Sequence, residues 1–294
     1  MGKFAKAETQ AASVINALQR SGAIQSLRTA DNYRQALTQV CRFVKSERLG
    51  SLRDLTPEQA ISYLEMRGEE IGQKMLDQER HAIQAMMQHL THKLDVKAHL
   101  PSIKSDYQQI LTSRSYTTQQ VAMVAEAQRD MNSLSTQIAH AAGLRGHELL
   151  TLRRIEERDP SSRPALAEKF QGREGERYTV KGKGGLVREV CIPKHLAQQL
   201  EARRLESPIK VTDRTVHYAQ HYDINGGKKW SSSFTQASNR ALGWSTGAHG
   251  LRHSYAQERM HELQSAGMNR NLALEVVSQE MGHFRPEITE TYLR

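Results

Sequence analysis

Four short segments place charged or hydroxyl-bearing side chains directly beside regularly patterned apolar residues. In the first, AAGLRGHELLTL, Arg145 follows a glycine and precedes an apolar run. This segment alone slightly favours Arg145 as a structural partner of Glu148 over a functional residue. The second segment, VKGKGGLVREV, places Lys181 and Lys183 at a predicted hairpin tip. A lysine at such a tip is either solvated or reaches into a groove as a proton donor or phosphate contact.

The third segment, AHGLRHSYAQ, combines histidines with an arginine at the start of a predicted helix. His249 and Arg252 are three residues apart and therefore share one helix face, where they could grip one oxyanion from two sides. His249 with His253, and His217 with His221, have the four-residue spacing of zinc ligands. Neither pair lies in an HExxH arrangement and no third ligand is patterned nearby. The sequence therefore predicts neither a metal ion nor another cofactor.

The fourth segment, MGHFRPEITETYLR, places His283 nine residues before Tyr292. Taken by itself, a lone tyrosine in this setting indicates no more than surface or packing. The whole chain has 41 Lys+Arg against 32 Asp+Glu, a formal net charge of +9. This balance favours a polyanionic partner such as nucleic acid about as strongly as it favours an ordinary solvated surface.

The elements that must position these residues are predicted to form two domains, since the chain has 294 residues. Residues 1–110 are predicted to be helical. Thr29 is the expected cap of the second helix, and Thr56, followed by Pro-Glu-Gln, is a strong start for the third. The polar, weakly periodic residues 94–115 are predicted to connect this domain to residues 111–294.

Residues 111–294 are predicted to be mixed but mostly helical. An antiparallel hairpin is expected over residues 171–192, where Gly182, Gly184 and Gly185 supply the turn, and it is expected to be the only sheet of any size. Helices are predicted after it at residues 194–205, 212–220, 232–242, 250–266 and 270–281. The predicted fold class is therefore mainly α with a small antiparallel sheet.

Cysteine count and hydropathy exclude several classes of protein. Cys41 and Cys191 are the only cysteines and no CxxC occurs, which excludes a disulfide scaffold, an iron–sulfur site and a zinc ribbon. The apolar runs are too short for a membrane span, and residues 1–10 lack the apolar region of a secretory signal. The expected location is the cytoplasm, in association with the nucleoid and without a membrane partner.

Taken together, the motifs resemble the active site of the tyrosine recombinase, or phage integrase, family. The resemblance lies in the local contexts and order of six residues: Arg145, Lys183, His249, Arg252, His283 and Tyr292. It covers nearly the whole chain, because residues 29–91 resemble the family's helical core-binding (SAM-like) domain. The segment RSYTTQQVAMV resembles the opening of its catalytic domain, which places that domain at residues 111–294.

The resemblance implies a reaction and a role for most of these residues. Tyr292 would attack a phosphodiester, form a 3′-phosphotyrosyl link and expel a 5′-hydroxyl, without a metal ion or ATP. Arg145 and Arg252 would neutralise the charge that develops on the non-bridging oxygens. Lys183 would protonate the departing 5′-oxygen as the general acid.

The remaining site residues have less specific roles. His249 is expected to assist the phenol or to contact phosphate, and His283 to hydrogen-bond a non-bridging oxygen. Glu148 either orients Arg145 or is an exposed helical acid, and the sequence favours neither. Further candidate contacts to the DNA backbone are Lys181, Lys228 and Lys229.

The implied partner is double-stranded DNA with specific recombination sites, bound by a homotetramer that exchanges strands through a Holliday junction. A directionality factor or a DNA-bending protein is a further candidate partner. The segment EERDPSSRPALAEKFQGREG resembles an insertion relative to compact Xer-type members, which favours the integrase of a mobile element, acting in integration or excision. Two alternatives stay open: a relaxer of DNA similar to type IB topoisomerases, and a catalytically silent or accessory DNA-binding protein.

Overall fold

The structure is a computed structural model that describes residues 4–107, 112–163 and 165–294, with the side chain of Lys183 left out. The chain divides into two compact units, one within residues 1–110 and the other within residues 111–294. Among the described residues, the first unit has one buried apolar cluster and the second has two. Within the described residues, no helix is both long and apolar enough to cross a membrane.

The first unit is helical. Its helices are α1 (Ala7–Arg20), α2 (Leu27–Ser46), α3 (Pro57–Gly68) and α4 (Gln73–Met86), and a π-helical turn, Met87–Thr91, continues α4. The predicted cap of α2 is wrong, because the side chain of Ser26 accepts the backbone N–H of Thr29 and the helix begins earlier. The predicted start of α3 is confirmed by a capping box in which Thr56 and Gln59 bond to each other's backbone N–H.

Part of the segment predicted to connect the units packs onto the first one. The side-chain amide of Gln88 donates to the carbonyls of Asp95, Val96 and Ala98, and Leu100 is buried in the apolar cluster of the first unit. Residues 95–100 are therefore held by hydrogen bonds and packing, which weak sequence periodicity does not reveal.

The second unit contains helices and two small antiparallel sheets. Its elements are, in chain order, α5 (Thr118–Glu126), α6 (Asp130–Ala141), β1 (Arg153–Arg154), β2 (Glu176–Lys181), β3 (Val187–Ile192), α7 (Lys194–Glu201), β4 (Arg204–Asp213), β5 (Val216–Tyr222), α8 (Gly227–Leu242), α9 (Gly250–Ser265), α10 (Arg270–Glu280) and α11 (Pro286–Glu290). The first sheet has the order β1-β2-β3. These elements confirm the predicted fold class.

The hairpin of β2 and β3 is confirmed. Lys181 pairs with Val187. The chain turns between them through Gly184 and Gly185, whose φ values are 76° and 84°. Such angles are free of steric cost only for glycine. The turn therefore places the backbone of Lys183 at the tip of the hairpin.

The expectation of a single sheet is wrong, and so is the predicted helix over residues 212–220. Strands β4 and β5 form a second hairpin that occupies these positions, and α7 ends at Glu201 rather than near residue 205. The turn is made by Arg214 and Thr215, whose φ values are 48° and 67°. Glycine or asparagine usually marks such positions, so the sequence lacks the usual signal for a turn here.

The insertion-like segment before β2 is fixed to α10. The backbone N–H of Leu166 donates to the side chain of Gln279, and that of Phe170 donates to the carboxylate of Glu280. Glu280 is buried and also accepts hydrogen bonds from Arg259 and Tyr255. Because α10 leads directly into the segment with His283 and Tyr292, this network holds that segment against the rest of the unit.

Candidate active site

The candidate site is built around the carboxylate of Glu148, which is fully buried. One carboxylate oxygen accepts the backbone N–H of Arg145 at 2.8 Å, and the other accepts its guanidinium at 2.9 Å. Arg188 donates to the same carboxylate at 2.8 Å, and Arg252 lies 4.0 Å from it. Glu148 is thus a buried partner of three arginines and not an exposed helical acid.

The charges around Glu148 decide its ionisation. Burial alone would raise the pKa of its carboxyl, but the positive charges of Arg188, Arg252 and Arg145 outweigh burial and hold the pKa well below the usual range. Glu148 is therefore ionised at neutral pH. Its negative charge in turn allows three guanidiniums to lie close together in a region with little water.

Arg252, on the first turn of α9, is fully buried. It donates to the carbonyl of Gly143, to the carbonyl of Met281 at 3.1 Å and to Nε2 of His283 at 2.9 Å. Burial is the main cause, and the charge of Arg145 the second, that lowers the pKa of Arg252 to about 10. The guanidinium therefore remains charged at neutral pH. Arg252 thereby fixes the turn that connects α10 to His283.

Tyr292 lies within this cluster, with 9% of its surface exposed. Its ring centre is 5.5 Å from that of His249, 4.8 Å from that of His253 and 4.9 Å from that of His283. The guanidinium carbon of Arg252 lies 5.6 Å from the ring centre. The structure therefore brings the predicted tyrosine, both predicted histidines and one predicted arginine into one cluster, and adds His253 to it.

The imidazoles around Tyr292 are kept neutral. Burial and, to a smaller extent, the charge of Arg252 lower the pKa of His283 to about 3. Burial and the charge of Arg114 lower that of His253 to about 4. Desolvation and the charge of Arg252 also lower the pKa of His249, although this residue is exposed overall. At neutral pH all three rings are therefore uncharged.

The hydrogen bonds of His283 define its tautomer. Its Nε2 faces a guanidinium N–H of Arg252 and must accept, so Nδ1 carries the proton and donates to the hydroxyl of Thr289 at 2.9 Å. Both ring nitrogens are therefore engaged. Thr289 lies on α11, three residues before Tyr292, and its carbonyl accepts the backbone N–H of Tyr292 at 2.9 Å.

A cavity of about 430 Å³ opens beside the cluster. Its lining combines positive and hydrogen-bonding groups with the hairpin turn: Arg145, Glu148, Arg188, His283, Arg285, Gly182 and Gly184. The side chain of Arg145 keeps 25% of its surface exposed there. Among the described residues, no group of three or more His, Cys, Asp or Glu is placed to hold a metal ion. Because the Arg145 guanidinium is partly exposed in it, the cavity can hold an anion such as phosphate.

Four predicted residues are not part of the described cluster. The side chain of Lys183 lies outside what the structure describes, although its backbone stands at the hairpin tip beside the cavity. Lys181, Lys228 and Lys229 are exposed, the first at the end of β2 and the other two at the start of α8. Their predicted contacts to DNA stay predictions.

Sequence reasoning missed Arg188 and assigned no role at Tyr292 to His253. A signal for Arg188 was present, because strand alternation places it on the same face as Val190 and Ile192, which are buried. A charged residue on the buried face of a strand indicates an internal partner. The sequence does not show which partner this is, because Glu148 and Glu280 are far from Arg188 in the chain.

Comparison with solved structures places the fold among DNA recombinases. XerH site-specific recombinase bound to difH substrate is 17% identical over 90% of this chain and 75% of its own, with a TM-score of 0.55. A lambda integrase dimer bound to a COC′ core site is 16% identical over 94% and 92%, with a TM-score of 0.59. The Tn1549 transposon integrase in complex with transposon right end DNA is 14% identical over 99% and 95%, with a TM-score of 0.57.

Neither a protein-family model nor a curated protein matches the chain. At these low identities the likeness concerns the fold, and it confirms the fold implied by the resemblance in sequence. The chain has the fold of tyrosine recombinases and integrases.

The neutral histidines predict an acid-sensitive stability. We expect the free energy of unfolding to fall as the pH is lowered from 6.5 to 5, because histidines of the unfolded chain bind protons near their ordinary pKa of about 6.5 while His253 and His283 do not in the folded protein. Each contributes a slope of up to about 1.4 kcal/mol per pH unit.

Urea denaturation across this pH range tests the expectation. In the variant His253→Gln, the free energy of unfolding should fall less steeply with decreasing pH, because the contribution of His253 is removed. An identical slope in this variant and the wild-type protein would show that the fold does not keep His253 neutral.

Proposed function

We propose that this chain is a site-specific DNA recombinase or integrase that cuts and rejoins DNA through a 3′-phosphotyrosyl intermediate. The observation that carries the proposal is the position of Tyr292, whose ring lies against Arg252 and three neutral histidines. The adjoining cavity is lined by Arg145. A nucleophile, proton acceptors and positive charge are thus gathered within one unit.

Binding of the phosphodiester is assigned to the arginines. Arg145 is held by Glu148 and partly exposed at the cavity, so it can contact a non-bridging oxygen. Arg252 is fully buried, with its guanidinium carbon 5.6 Å from the ring centre of Tyr292, so its proposed contact with phosphate requires the phenol to move toward phosphorus. Two fixed positive charges would stabilise the charge of the transition state without reorganisation of solvent. The reaction is therefore proposed to need neither a divalent metal nor ATP.

Cleavage requires one bond to form and one to break. The Tyr292 oxygen bonds to phosphorus and the bond from phosphorus to the 5′-oxygen breaks, which leaves a 3′-phosphotyrosyl strand and a 5′-hydroxyl. His283 has both ring nitrogens engaged. The phenolic proton is therefore assigned to His249 or His253, and a proton from Lys183 to the leaving oxygen. Attack of a 5′-hydroxyl on the phosphotyrosyl bond reverses these steps and rejoins the DNA.

Double-stranded DNA is the proposed substrate, bound at specific sites by four copies of the chain that exchange strands through a Holliday junction. The net charge of +9 suits a phosphate backbone. The compared structures include a transposon integrase and lambda integrase on their DNA sites. Together with the insertion-like segment before β2, these likenesses support a role in integration or excision of a mobile element.

A nicked suicide substrate that carries candidate attachment sequence tests the nucleophile. Incubation with wild-type protein in EDTA should yield a covalent protein–DNA band on a denaturing gel, and Tyr292→Phe should abolish it because the phenolic oxygen is the attacking atom. Tyr107→Phe, at an exposed position, is the matched control and should retain the band. A band that persists in Tyr292→Phe would contradict the assignment, and DNA binding without any covalent band would favour a binding protein.

A substrate with sulfur in place of the bridging 5′-oxygen tests Lys183. Lys183→Ala should cleave the normal phosphodiester about 10²- to 10⁴-fold more slowly, because the 5′-alkoxide leaves poorly without a proton. The sulfur-bridged substrate should restore most of the rate, since a thiolate leaves without protonation. Lys181→Ala, altered on the same hairpin, is the control: the loss of a contact to the DNA backbone should slow cleavage of both substrates to the same extent. Equal loss on both substrates would show that Lys183 is not the general acid.

A further inference from the structure

Arg188 is a buried side chain at the site that donates hydrogen bonds to three residues and has no part in the reaction proposed above. It lies on β3 with 3% of its surface exposed. One terminal nitrogen donates to the carbonyl of Glu280 at 2.6 Å. The other donates to the carboxylate of Glu148 at 2.8 Å and to the carbonyl of Gly143 at 3.3 Å.

These partners lie in two parts of the site, the turn that carries Arg145 and the end of α10. Glu148 holds Arg145 by two hydrogen bonds. The carbonyl of Gly143 also accepts from Arg252. Glu280 ends α10, and the carbonyl of the next residue, Met281, accepts from Arg252 as well. Arg188 therefore joins the hairpin strand, the turn with Arg145 and the segment that leads to Tyr292.

The surroundings of Arg188 are shaped to hold it in one place. Gly282 has a φ of 72°, and a Cβ atom there would lie 2.6 Å from Cδ of Arg188. Only glycine satisfies both the backbone angle and the close approach. The chain thus turns from α10 toward His283 directly against this guanidinium.

Removal of Arg188 would change the surroundings of Glu148. The carboxylate oxygen Oε2 would keep the backbone N–H of Arg145 but would lose its charged partner. Arg252, now 4.0 Å from that oxygen, is the guanidinium placed to replace it. A buried carboxylate draws in the nearest guanidinium because an unpaired charge is costly there. Arg252 would then shift away from Met281 and His283, and the positive charges would be misplaced relative to phosphate.

We propose that Arg188 is a positioning residue for phosphodiester cleavage. It occupies Glu148 and ties three segments together, so that Arg145 and Arg252 point toward the scissile phosphate. This role rests on the proposed recombinase function. Arg188 itself is not assigned a contact with DNA or with the reacting atoms.

Single-turnover cleavage by Arg188→Gln tests the role on two substrates, one with a normal scissile phosphate and one with a neutral methylphosphonate there. We expect a rate about 10²-fold below wild type on the phosphate, the usual cost of misplaced catalytic groups. The loss should be much smaller on the methylphosphonate, which lacks the charge that the arginines neutralise. Affinity for the DNA site should be unchanged.

Two further variants separate positioning from folding. Arg188→Lys keeps a charge beside Glu148 but lacks the planar fork that reaches three partners, so it should fold and still cleave phosphate slowly. It provides the test if Arg188→Gln does not fold. Arg158→Gln is the matched control, because Arg158 donates to Thr179 and to the carbonyl of Thr151, away from Glu148. This variant should lower the stability of the fold. Its cleavage rate, divided by that of wild type, should be the same on the two substrates.

Different results would overturn different claims. If wild-type protein forms a covalent product and both Arg188 variants cleave phosphate at the wild-type rate, Arg188 has no positioning role. Slow cleavage with the same loss on both substrates overturns the role as well, since it indicates general destabilisation. A wild-type protein that forms no covalent product on any candidate site overturns the proposed function, and the role of Arg188 with it.

Discussion

The site depends on one buried negative charge. Glu148 is the carboxylate around which Arg145, Arg188 and Arg252 are arranged, and without it three guanidiniums could not lie together away from water. The cost of burying this carboxylate is offset by direct hydrogen bonds from two of the arginines, which also hold it ionised. The same contacts leave Arg145 partly exposed at the cavity, so a structural ion cluster also presents positive charge to an anion.

The position of Tyr292 follows from this cluster and from the network behind α10. Arg252 binds the turn after α10, and Arg259 and Tyr255 bind Glu280 at the end of that helix. The segment before β2 adds a backbone hydrogen bond to Glu280. Short helix α11 then returns the chain so that Tyr292 covers Arg252. The proposed nucleophile and the histidines proposed to accept its proton therefore lie side by side.

Much of the fold and the candidate residues of the site were predictable from the sequence, because caps and turns depend on a few neighbouring residues. The capping box at Thr56 and the glycines between β2 and β3 follow from backbone chemistry that a few residues determine. The second hairpin was not predictable, since Arg214 and Thr215 take left-handed backbone angles without the glycine or asparagine that usually marks them. Motif order identified the six candidate residues, whereas the partners of Arg188 depend on tertiary contacts between distant segments.

The most direct test of the account is to map the covalent intermediate. The protein–DNA complex formed by wild-type protein in EDTA would be digested with protease and nuclease, and the modified peptide sequenced by mass spectrometry. We expect a nucleotide joined through its 3′-phosphate to Tyr292 and to no other residue. An adduct on another side chain, or a link through a 5′-phosphate, would contradict it.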